Sequence, residues 1–400
     1  MAPLNIAIIG AGVGGPTAAI GLARNGHNVT LYDRTSSIGG VGYAFRITPN
    51  SDRCLKFLGI DVLASGAVEA NWSRLMNYKG KLSNEFQENQ NPEVDGLSVF
   101  AYRLGLQQQL LDEATNQGAQ VRMGVEVTSV DVSSCTITFA DSSTSSVDLI
   151  IASDGLHSFI RPYVVDSSVH FPKVSTGHSC IRAMIPYQAI QDDPVTSHMM
   201  SDKIRMVGFR AEDRLIGGYA VDYGRQFNLV CTHPEALSNR ETSSGSDAEK
   251  SDVAKDIYKE FDNVAVRLLE LADPNGFRVW KLMDMDDIPR WSKDRVVLLG
   301  DACHPVLPFG FSGASMAIED AVTLTALLPV DVNLEQVQDR LQLYERIRRA
   351  RVYKVRDESR VRSSGAKDTA DVKGFREFLN SHDAVEYAKQ ELKEHQALFS

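Results

Sequence analysis

The chain has 400 residues, of which 43% are hydrophobic and 24% are charged, and its formal net charge is −10. This length exceeds what one simple core usually holds, so we expect two domains or one domain with a large insertion. An acidic chain repels phosphate backbones, which argues against nucleic acid as a partner.

The distribution of apolar residues and cysteines bears on the compartment. No stretch reaches the roughly 18 uninterrupted apolar residues that a membrane helix needs, and the first residues lack the features of a signal peptide. The five cysteines are scattered, odd in number and without a C-x-x-C pair, which argues against a disulfide framework and a zinc site. We therefore predict a cytoplasmic protein with no metal and no membrane partner.

The first part of the chain has the pattern of a strand–helix–strand unit. Apolar periodicity predicts a strand at 4–9, a helix at 14–25 and a strand at 29–32. A G-x-G-x-x-G pattern at Gly10, Gly12 and Gly15 separates the first strand from the helix, and Asp33 follows the second strand. These glycines allow a tight turn, close approach of a pyrophosphate and close helix packing, while the acid can accept a hydrogen bond from a ribose hydroxyl. The unit predicts a dinucleotide site for either NAD or FAD.

Further elements follow in chain order. We predict a helix at 104–117, strands at 121–132, 135–139 and 148–152, and a turn at 142–146. Alternating stretches between 172 and 278 predict an antiparallel sheet, whereas the polar run 238–255 is interpreted as a solvated loop. A buried strand at 295–299 precedes a helix that starts near Ser312, and residues 334–400 have a charged helical pattern.

Two more acidic residues come directly after buried strands. Asp154 follows the strand at 148–152, and Asp301 follows the strand at 295–299. Because ligands of open parallel sheets bind at the carboxyl ends of strands, both carboxylates are predicted to lie beside the cofactor. The amides of Gly313 and Ala314, at the start of the next helix, would be free donors that could stabilise negative charge on a reduced flavin.

These three motifs, in this order, resemble those of the single-component FAD-dependent aromatic hydroxylases, and within them the salicylate-hydroxylase-like group. The resemblance extends from Ile6 to about Arg360 and is dense in segments 280–321 and 344–351. It implies an α/β protein with a discontinuous Rossmann-type FAD-binding domain, a β-sheet substrate-binding domain and a C-terminal helical segment. The predicted limits are 1–71, 98–171 and 279–365 for the first domain, 72–97 and 172–278 for the second, and 366–400 for the tail.

The resemblance also implies roles for individual residues in binding FAD. Asp33 would hold the adenosine ribose, and Asp301 would hold the ribityl chain. Arg103 matches an arginine beside the ribityl-phosphate region, and Asp154 matches a segment that serves both FAD and the nicotinamide nucleotide. Gly42 matches a glycine-rich turn near the flavin.

By the same resemblance, NADPH or NADH reduces FAD, and O2 then gives a flavin hydroperoxide that hydroxylates a phenol, an aromatic acid or a related secondary metabolite. Two residues of the predicted sheet domain are candidates for catalysis. Arg182 could pair with a carboxylate or phenolate, and Tyr219 could polarise a phenolic oxygen. His304 is expected to pack beside the cofactor loop.

Several alternatives stay open at this point. Phe311 and Ser312 stand where the family usually has a small residue and glutamine, which keeps epoxidation and Baeyer–Villiger insertion open. A flavin-binding protein without turnover and a plain NAD-dependent dehydrogenase are the other classes, although the second leaves the Gly-Asp motif at 300–301 unexplained. The protein is expected to be a monomer or homodimer, and the segment 372–400 could be a dimer contact or only a helix packed on the surface.

Overall fold

The structure is a computed structural model that describes residues 2–39, 43–89, 96–166, 173–200, 203–238, 247–363 and 372–398. Its strands are β1 (Asn5–Ile9), β2 (Asn28–Asp33), β3 (Ala44–Ile47), β4 (Val68–Glu69), β5 (Trp72–Asn77), β6 (Leu82–Gln87), β7 (Val99–Tyr102), β8 (Gln120–Met123), β9 (Val127–Asp131), β10 (Thr136–Phe139), β11 (Thr144–Ser146), β12 (Leu149–Ala152), β13 (Lys173–Pro186), β14 (Ile204–Arg210), β15 (Leu215–Val221), β16 (Gln226–Pro234), β17 (Arg278–Met285), β18 (Ser292–Lys293) and β19 (Val296–Leu298). Its helices are α1 (Gly14–Arg24), α2 (Pro49–Phe57), α3 (Arg103–Asn116), α4 (Arg161–Val165), α5 (Tyr187–Asp192), α6 (Asp247–Tyr258), α7 (Asn263–Leu271), α8 (Gly313–Leu327), α9 (Leu334–Ser363), α10 (Val372–Asn380) and α11 (Ala384–Ala397).

A six-stranded sheet carries the three motifs. Its order is β18-β19-β12-β1-β2-β8, and every neighbouring pair except β18 and β19 is parallel. Strands β12 and β19 are buried along their whole length, as expected of parallel strands covered on both faces. Because β1, β12 and β19 are neighbours and parallel, the turns that follow them meet at one edge. The predicted Rossmann-type layer is confirmed.

A seven-stranded sheet of order β17-β13-β16-β15-β14-β5-β6 forms the second layer, and all its pairings are antiparallel except β14 with β5. One face packs against α6 and α7 in a core that includes Ile181, Phe227 and Leu268. The other face contributes Tyr219 and Val221 to a small core shared with Ala44, Ala70 and Phe100 of the predicted FAD-binding domain. The edge strand β17 extends this sheet beyond 278, the limit that the sequence predicted.

The C-terminal helices pack on the chain itself. Arg351 of α9 donates from Nη1 to the Phe378 carbonyl at 3.1 Å and from Nη2 to the Leu379 carbonyl at 3.0 Å. Arg53 of α2 donates to the His382 carbonyl at 2.9 Å. The C-terminal tail is therefore a helical segment that packs on the surface of the chain beside α2 and α9. No helix in the described ranges is both long and apolar enough to cross a bilayer.

Three local predictions were wrong. Residues 247–258 form helix α6, which takes in the end of the run 238–255 that was interpreted as a loop, because Ala254 and Tyr258 are fully buried against the sheet despite the polar composition. The predicted strand at 121–132 is two strands, separated at Gly124, whose φ of +74° interrupts the extended backbone. The predicted turn at 142–146 includes the short strand β11, which pairs with β10.

Candidate active site

The glycine turn between β1 and α1 is tightly packed on one side and open on the other. The Gly10 amide donates to the Tyr32 carbonyl at 2.8 Å, and its φ is +110°. A Cβ on Gly10 would lie 2.4 Å from the Ser153 carbonyl oxygen, and one on Gly15 would lie 2.0 Å from the Gly10 oxygen. A Cβ on Gly12 would meet nothing within 4 Å. The open space in front of a helix N-terminus is suited to a pyrophosphate.

Asp33 joins the end of β2 to this turn. Its carboxylate accepts the Ala11 amide at 2.7 Å and the Thr35 amide and hydroxyl at 2.8 and 2.6 Å. A carboxylate offers about four lone-pair directions, so one acceptor position is left. The half-buried side chain can therefore both hold the glycine turn and accept a hydrogen bond from a ribose hydroxyl.

Asp154 lies in the turn after β12. Its Oδ2 accepts the amides of Phe159 and Ile160 at 2.9 and 3.3 Å, while Oδ1 is buried and has no hydrogen-bond partner among the described residues. Burial raises the pKa of the carboxyl, and the hydrogen bond from Ser158 and the loop amides act in the opposite direction. The residue organises its own loop and retains one buried acceptor atom.

Arg161 ties this loop to the Gly-Asp turn. Its Nε donates to the Ala302 carbonyl at 2.6 Å, and its Nη2 donates to the carbonyls of Leu156 and Asp301 at 3.1 and 3.0 Å. The side chain is buried, and its guanidinium donates hydrogen bonds to main-chain oxygens of both segments. Arg161 therefore holds two motifs together.

Asp301 and Arg103 carry opposite charges and lie near enough for the charge of Arg103 to act on the Asp301 carboxyl. Asp301 is exposed in the short turn Gly300–Ala302, yet the surrounding protein raises the pKa of its carboxyl by desolvation, against the opposing charges of His304, Arg103 and Arg161. Arg103 begins α3, is exposed, and makes no side-chain hydrogen bond to any described residue. An accessible carboxylate and an accessible guanidinium are suited to hydroxyl and phosphate groups, respectively.

The loop before α8 ends in a strained residue. Phe311 has a φ of +54°, a left-handed conformation that is uncommon outside glycine. The Ser312 hydroxyl donates to the Gly310 carbonyl at 2.8 Å, and the helix then begins at Gly313. The amides of Gly313 and Ala314 occupy the first helical positions, where no carbonyl of the helix can accept them. These two N–H groups are suited to donating hydrogen bonds to a partially negative atom of a flavin ring.

Beneath this loop, Asp320 fixes the Gly-Asp turn. Its Oδ2 accepts the Gly300 amide at 3.0 Å and lies 2.6 Å from His304 Nε2, and its Oδ1 accepts Arg348 Nε at 2.7 Å. Although burial acts to raise it, the charges of His304 and Arg348 hold the pKa of Asp320 below its usual range. His304 therefore packs against Asp320 directly below the Gly-Asp turn, and the binding of a cofactor at this turn stays a prediction. The sequence reasoning missed Asp320 and Arg348, although both lie within motif segments that it quoted.

Cys303, His304 and Asp320 are the one group of described residues whose ligand atoms lie close enough together to hold a metal ion. The chemistry does not favour such a site. Both oxygens of Asp320 are already engaged, and burial raises the pKa of the Cys303 thiol well above its ordinary value. The absence of a metal stays a prediction.

The two candidate catalytic residues converge on one carbonyl. Arg182 Nη1 and the Tyr219 hydroxyl donate to the Ala44 oxygen at 3.1 and 3.0 Å. Tyr219 stacks on Phe100 at a centroid distance of 4.3 Å and meets Phe311 edge-on at 6.4 Å. Burial raises the pKa of Tyr219 to about 12, with the charge of Arg182 acting against it. Tyr219 is therefore a hydrogen-bond donor at neutral pH. Gly42 lies outside the described residues.

Comparison with known proteins agrees with this geometry. A family model described as an FAD binding domain matches residues 4–359. The chain belongs to this family. Hispidin-3-hydroxylase of Neonothopanus nambi is 31% identical to this flavoprotein over 375 residues, covering 89% of this chain and 87% of that protein. The 3-hydroxybenzoate 6-hydroxylase 1 of Aquipseudomonas alcaligenes is 28% identical over 371 residues, covering 90% and 88%.

The fold of the flavoprotein is also that of a solved structure. The crystal structure of CtdE in complex with FAD and substrate 4 is 24% identical, with a TM-score of 0.84 and coverage of 99% of both chains. The prediction of an FAD-dependent monooxygenase of the aromatic hydroxylase type is thus confirmed by the family and its named members. FAD is the cofactor, and NAD(P)H is the co-substrate typical of the family.

Proposed function

We propose that this flavoprotein uses NAD(P)H and O2 to hydroxylate an electron-rich aromatic ring, a phenol or a related secondary metabolite. The observation that carries the proposal is the aromatic cluster of Phe100, Tyr219 and Phe311 between the seven-stranded sheet and the loop before α8. The two relatives reported above are named for hydroxylating hispidin and 3-hydroxybenzoate, which supports an aromatic substrate here.

The residues present fit FAD. The glycine turn and the N-terminus of α1 would bind the pyrophosphate, Asp33 the adenosine ribose, Arg103 a phosphate oxygen and Asp301 the ribityl hydroxyls. The amides of Gly313 and Ala314 would face the flavin ring. Bound FAD supplies hydride acceptance from NAD(P)H and transfer of one oxygen atom from O2 to the substrate.

The side chains around Ala44 would orient and activate the ring. Tyr219 would turn its hydroxyl from the Ala44 carbonyl to a phenolic oxygen, and Arg182 would favour the deprotonated phenol by its charge. Phe100, Phe311 and the half-buried Tyr102 pack in the same small core as Tyr219, and they would exclude water from the reacting face, which would limit side reactions with water.

A cluster of basic groups near Asp33 is suited to the anionic co-substrate. Lys173 Nζ lies 2.7 Å from His157 Nδ1. Partial burial and the charges of Lys173, Arg161 and Arg34 lower the pKa of His157. Positive groups that repel one another in an acidic protein are relieved when a phosphate binds between them. We therefore propose that NAD(P)H uses Arg34, His157 and Lys173.

The first experiment is an absorbance spectrum of the purified protein, followed by NAD(P)H oxidation with a panel of phenols and aromatic acids and mass analysis of the products. Flavin bands, oxidation accelerated by one compound and a product heavier by one oxygen on the ring are the expected results. An epoxide or ester product would redirect the proposal to epoxidation or Baeyer–Villiger insertion. A yellow protein that no compound stimulates would favour a flavin-binding protein without turnover.

A further inference from the structure

One side of the loop that leads into α8, residues 307–312, packs against the seven-stranded sheet. Leu307 is buried in a small core with Cys180 of β13 and Leu282 of β17. Phe311, near the other end of the loop, packs on the core that contains Tyr219. These apolar contacts are not directional, so they fix the position of the loop backbone less closely than hydrogen bonds do.

Ser359 of α9 donates a hydrogen bond to this loop. Its side chain is buried, and its Oγ donates to the Leu307 carbonyl at 2.6 Å. The same Oγ would lie 4.0 Å from a Cβ placed on Gly310. A serine within a helix can donate to a carbonyl one turn earlier in its own helix, whereas Ser359 donates to a segment 52 positions earlier in the chain. The hydroxyl therefore holds the loop.

Two arginines of the same part of α9 hold the end of β17. Arg356 pairs with Asp287 at 2.5 Å. Arg360 donates to Asp284 Oδ2 at 2.6 Å and to the carbonyl that follows it at 3.1 Å. Positions 356, 359 and 360 are three and four residues apart, so they share one face of the helix. This face of α9 therefore fixes the loop before α8 and the end of the sheet relative to each other.

The backbone that Ser359 restrains is strained. Phe311 has a φ of +54°, and such conformations persist only where surrounding contacts enforce them. At the far end of the turn, the Ser312 hydroxyl donates to the Gly310 carbonyl at 2.8 Å. Without the hydrogen bond from α9, side-chain hydrogen bonds would hold the turn at that end alone, and Phe311 could relax toward an ordinary φ. The two amides that begin α8 would then move with it.

We infer that Ser359 is a positioning residue, which holds the loop before α8 so that the amides of Gly313 and Ala314 stay directed at the flavin ring. Ser359 acts through the loop and is assigned no contact with flavin or substrate. The inference rests on the proposed function, in which these two amides stabilise the negative charge that the flavin gains on reduction.

A displaced loop should change two properties of the FAD-loaded protein. Reduced flavin would lose part of the hydrogen bonding that favours its negative charge, so its reduction potential would become more negative. Phe311 would also shift relative to Tyr219, which is proposed to orient the substrate ring, and a misplacement of about 1 Å can cost on the order of 100-fold in rate. Reoxidation without oxygen transfer would then increase, in which NAD(P)H, one proton and O2 give NAD(P)+ and H2O2.

The test compares Ser359→Ala with Ser65→Ala, both in the FAD-loaded protein. Ser65 is the matched control, because it is also buried and its hydroxyl donates to a main-chain carbonyl, that of Val62, at 2.6 Å. The reduction potential is measured by equilibration with a reference dye, and the unfolding midpoint by thermal melting. In Ser359→Ala, the affinity for reduced FAD relative to oxidised FAD should fall roughly 3- to 10-fold, which corresponds to a potential about 14–30 mV more negative. Ser65→Ala should lower the midpoint alone.

A second measurement uses a compound that accelerates NAD(P)H oxidation by the parent protein. The H2O2 formed per NAD(P)H should rise at least about twofold in Ser359→Ala and stay unchanged in Ser65→Ala. The inference is overturned if Ser359→Ala keeps the parent potential, whatever its unfolding midpoint, or if Ser65→Ala shifts the potential equally. Because the potential is measured without substrate, a failure of every compound to stimulate the enzyme would contradict the hydroxylase proposal and leave the test of Ser359 to stand separately.

Discussion

Nε2 of His304 lies 2.6 Å from Oδ2 of Asp320, and both side chains are buried directly beneath the Gly-Asp turn. The other carboxylate oxygen pairs with Arg348 at 2.7 Å, so one aspartate joins the turn, helix α8 and helix α9. The geometry of the proposed ribityl-binding turn is therefore set by a cluster of three buried side chains, His304, Asp320 and Arg348.

Asp320→Asn should lower both stability and FAD affinity. The change leaves a buried arginine without one of its counter-charges, which costs about 3–5 kcal/mol in unfolding free energy. Urea unfolding and fluorescence titration with FAD measure the two effects. Asp339→Asn is the control, because Asp339 pairs with His395 at 2.7 Å but its side chain is 47% exposed, and it should cost about 0–1 kcal/mol. Equal losses in the two variants would contradict the structural role of Asp320.

Two glycine substitutions should separate cofactor binding from folding. A Cβ on Gly12 meets no protein atom, so Gly12→Ala should keep the unfolding midpoint of the FAD-free protein while FAD affinity falls at least about tenfold. A Cβ on Gly15 would lie 2.0 Å from the Gly10 oxygen, so Gly15→Ala should destabilise the FAD-free protein itself. Differential scanning calorimetry and FAD titration measure both properties. Unchanged FAD affinity in Gly12→Ala would show that no phosphate approaches this turn.

The contrast between these glycines and Asp320 shows how far the sequence could predict the site. The turn at Gly10 and the carboxylate of Asp33 belong to one short strand–helix–strand unit, so local spacing was sufficient to predict them. The Asp320–Arg348 pair joins residues separated by 28 positions on two helices, and its formation depends on how those helices pack. Helix α6 was missed for a related reason, since its polar composition conceals the burial of Ala254 and Tyr258, which only the tertiary structure provides.

Tyr219→Phe should change how stability depends on pH. Burial raises the pKa of Tyr219 to about 12, above the ordinary value near 10. The neutral form therefore contributes stability that is fully present below pH 10 and is lost as pH rises through 12. By pH 11, the parent protein should have lost about 1.4 kcal/mol of unfolding free energy that Tyr219→Phe does not lose.

Tyr223→Phe is the matched control for this measurement. Tyr223 also donates its hydroxyl to a backbone carbonyl, that of Ala64 at 2.7 Å, but the residue is 61% exposed. Between pH 9 and 11, the unfolding free energy of Tyr223→Phe should depend on pH in the same way as that of the parent protein. Urea unfolding at each pH measures it. If Tyr219→Phe and Tyr223→Phe behave alike, the Tyr219 hydroxyl ionises as a solvated phenol and the buried donor assigned to it does not exist.

Lys173→Met should raise the pKa of His157 and weaken NAD(P)H binding together. Partial burial first, and then the Lys173 charge, lower the pKa of His157, so removal of the ammonium group 2.7 Å away relieves part of that shift. The histidine pKa is measured by NMR titration, and the KM for NAD(P)H is measured at two salt concentrations, with FAD affinity expected to stay unchanged. Lys393→Met, exposed on α11, is the control. If the pKa of His157 rises while the KM for NAD(P)H stays unchanged, the basic cluster of Arg34, His157 and Lys173 does not bind the co-substrate and serves the fold instead.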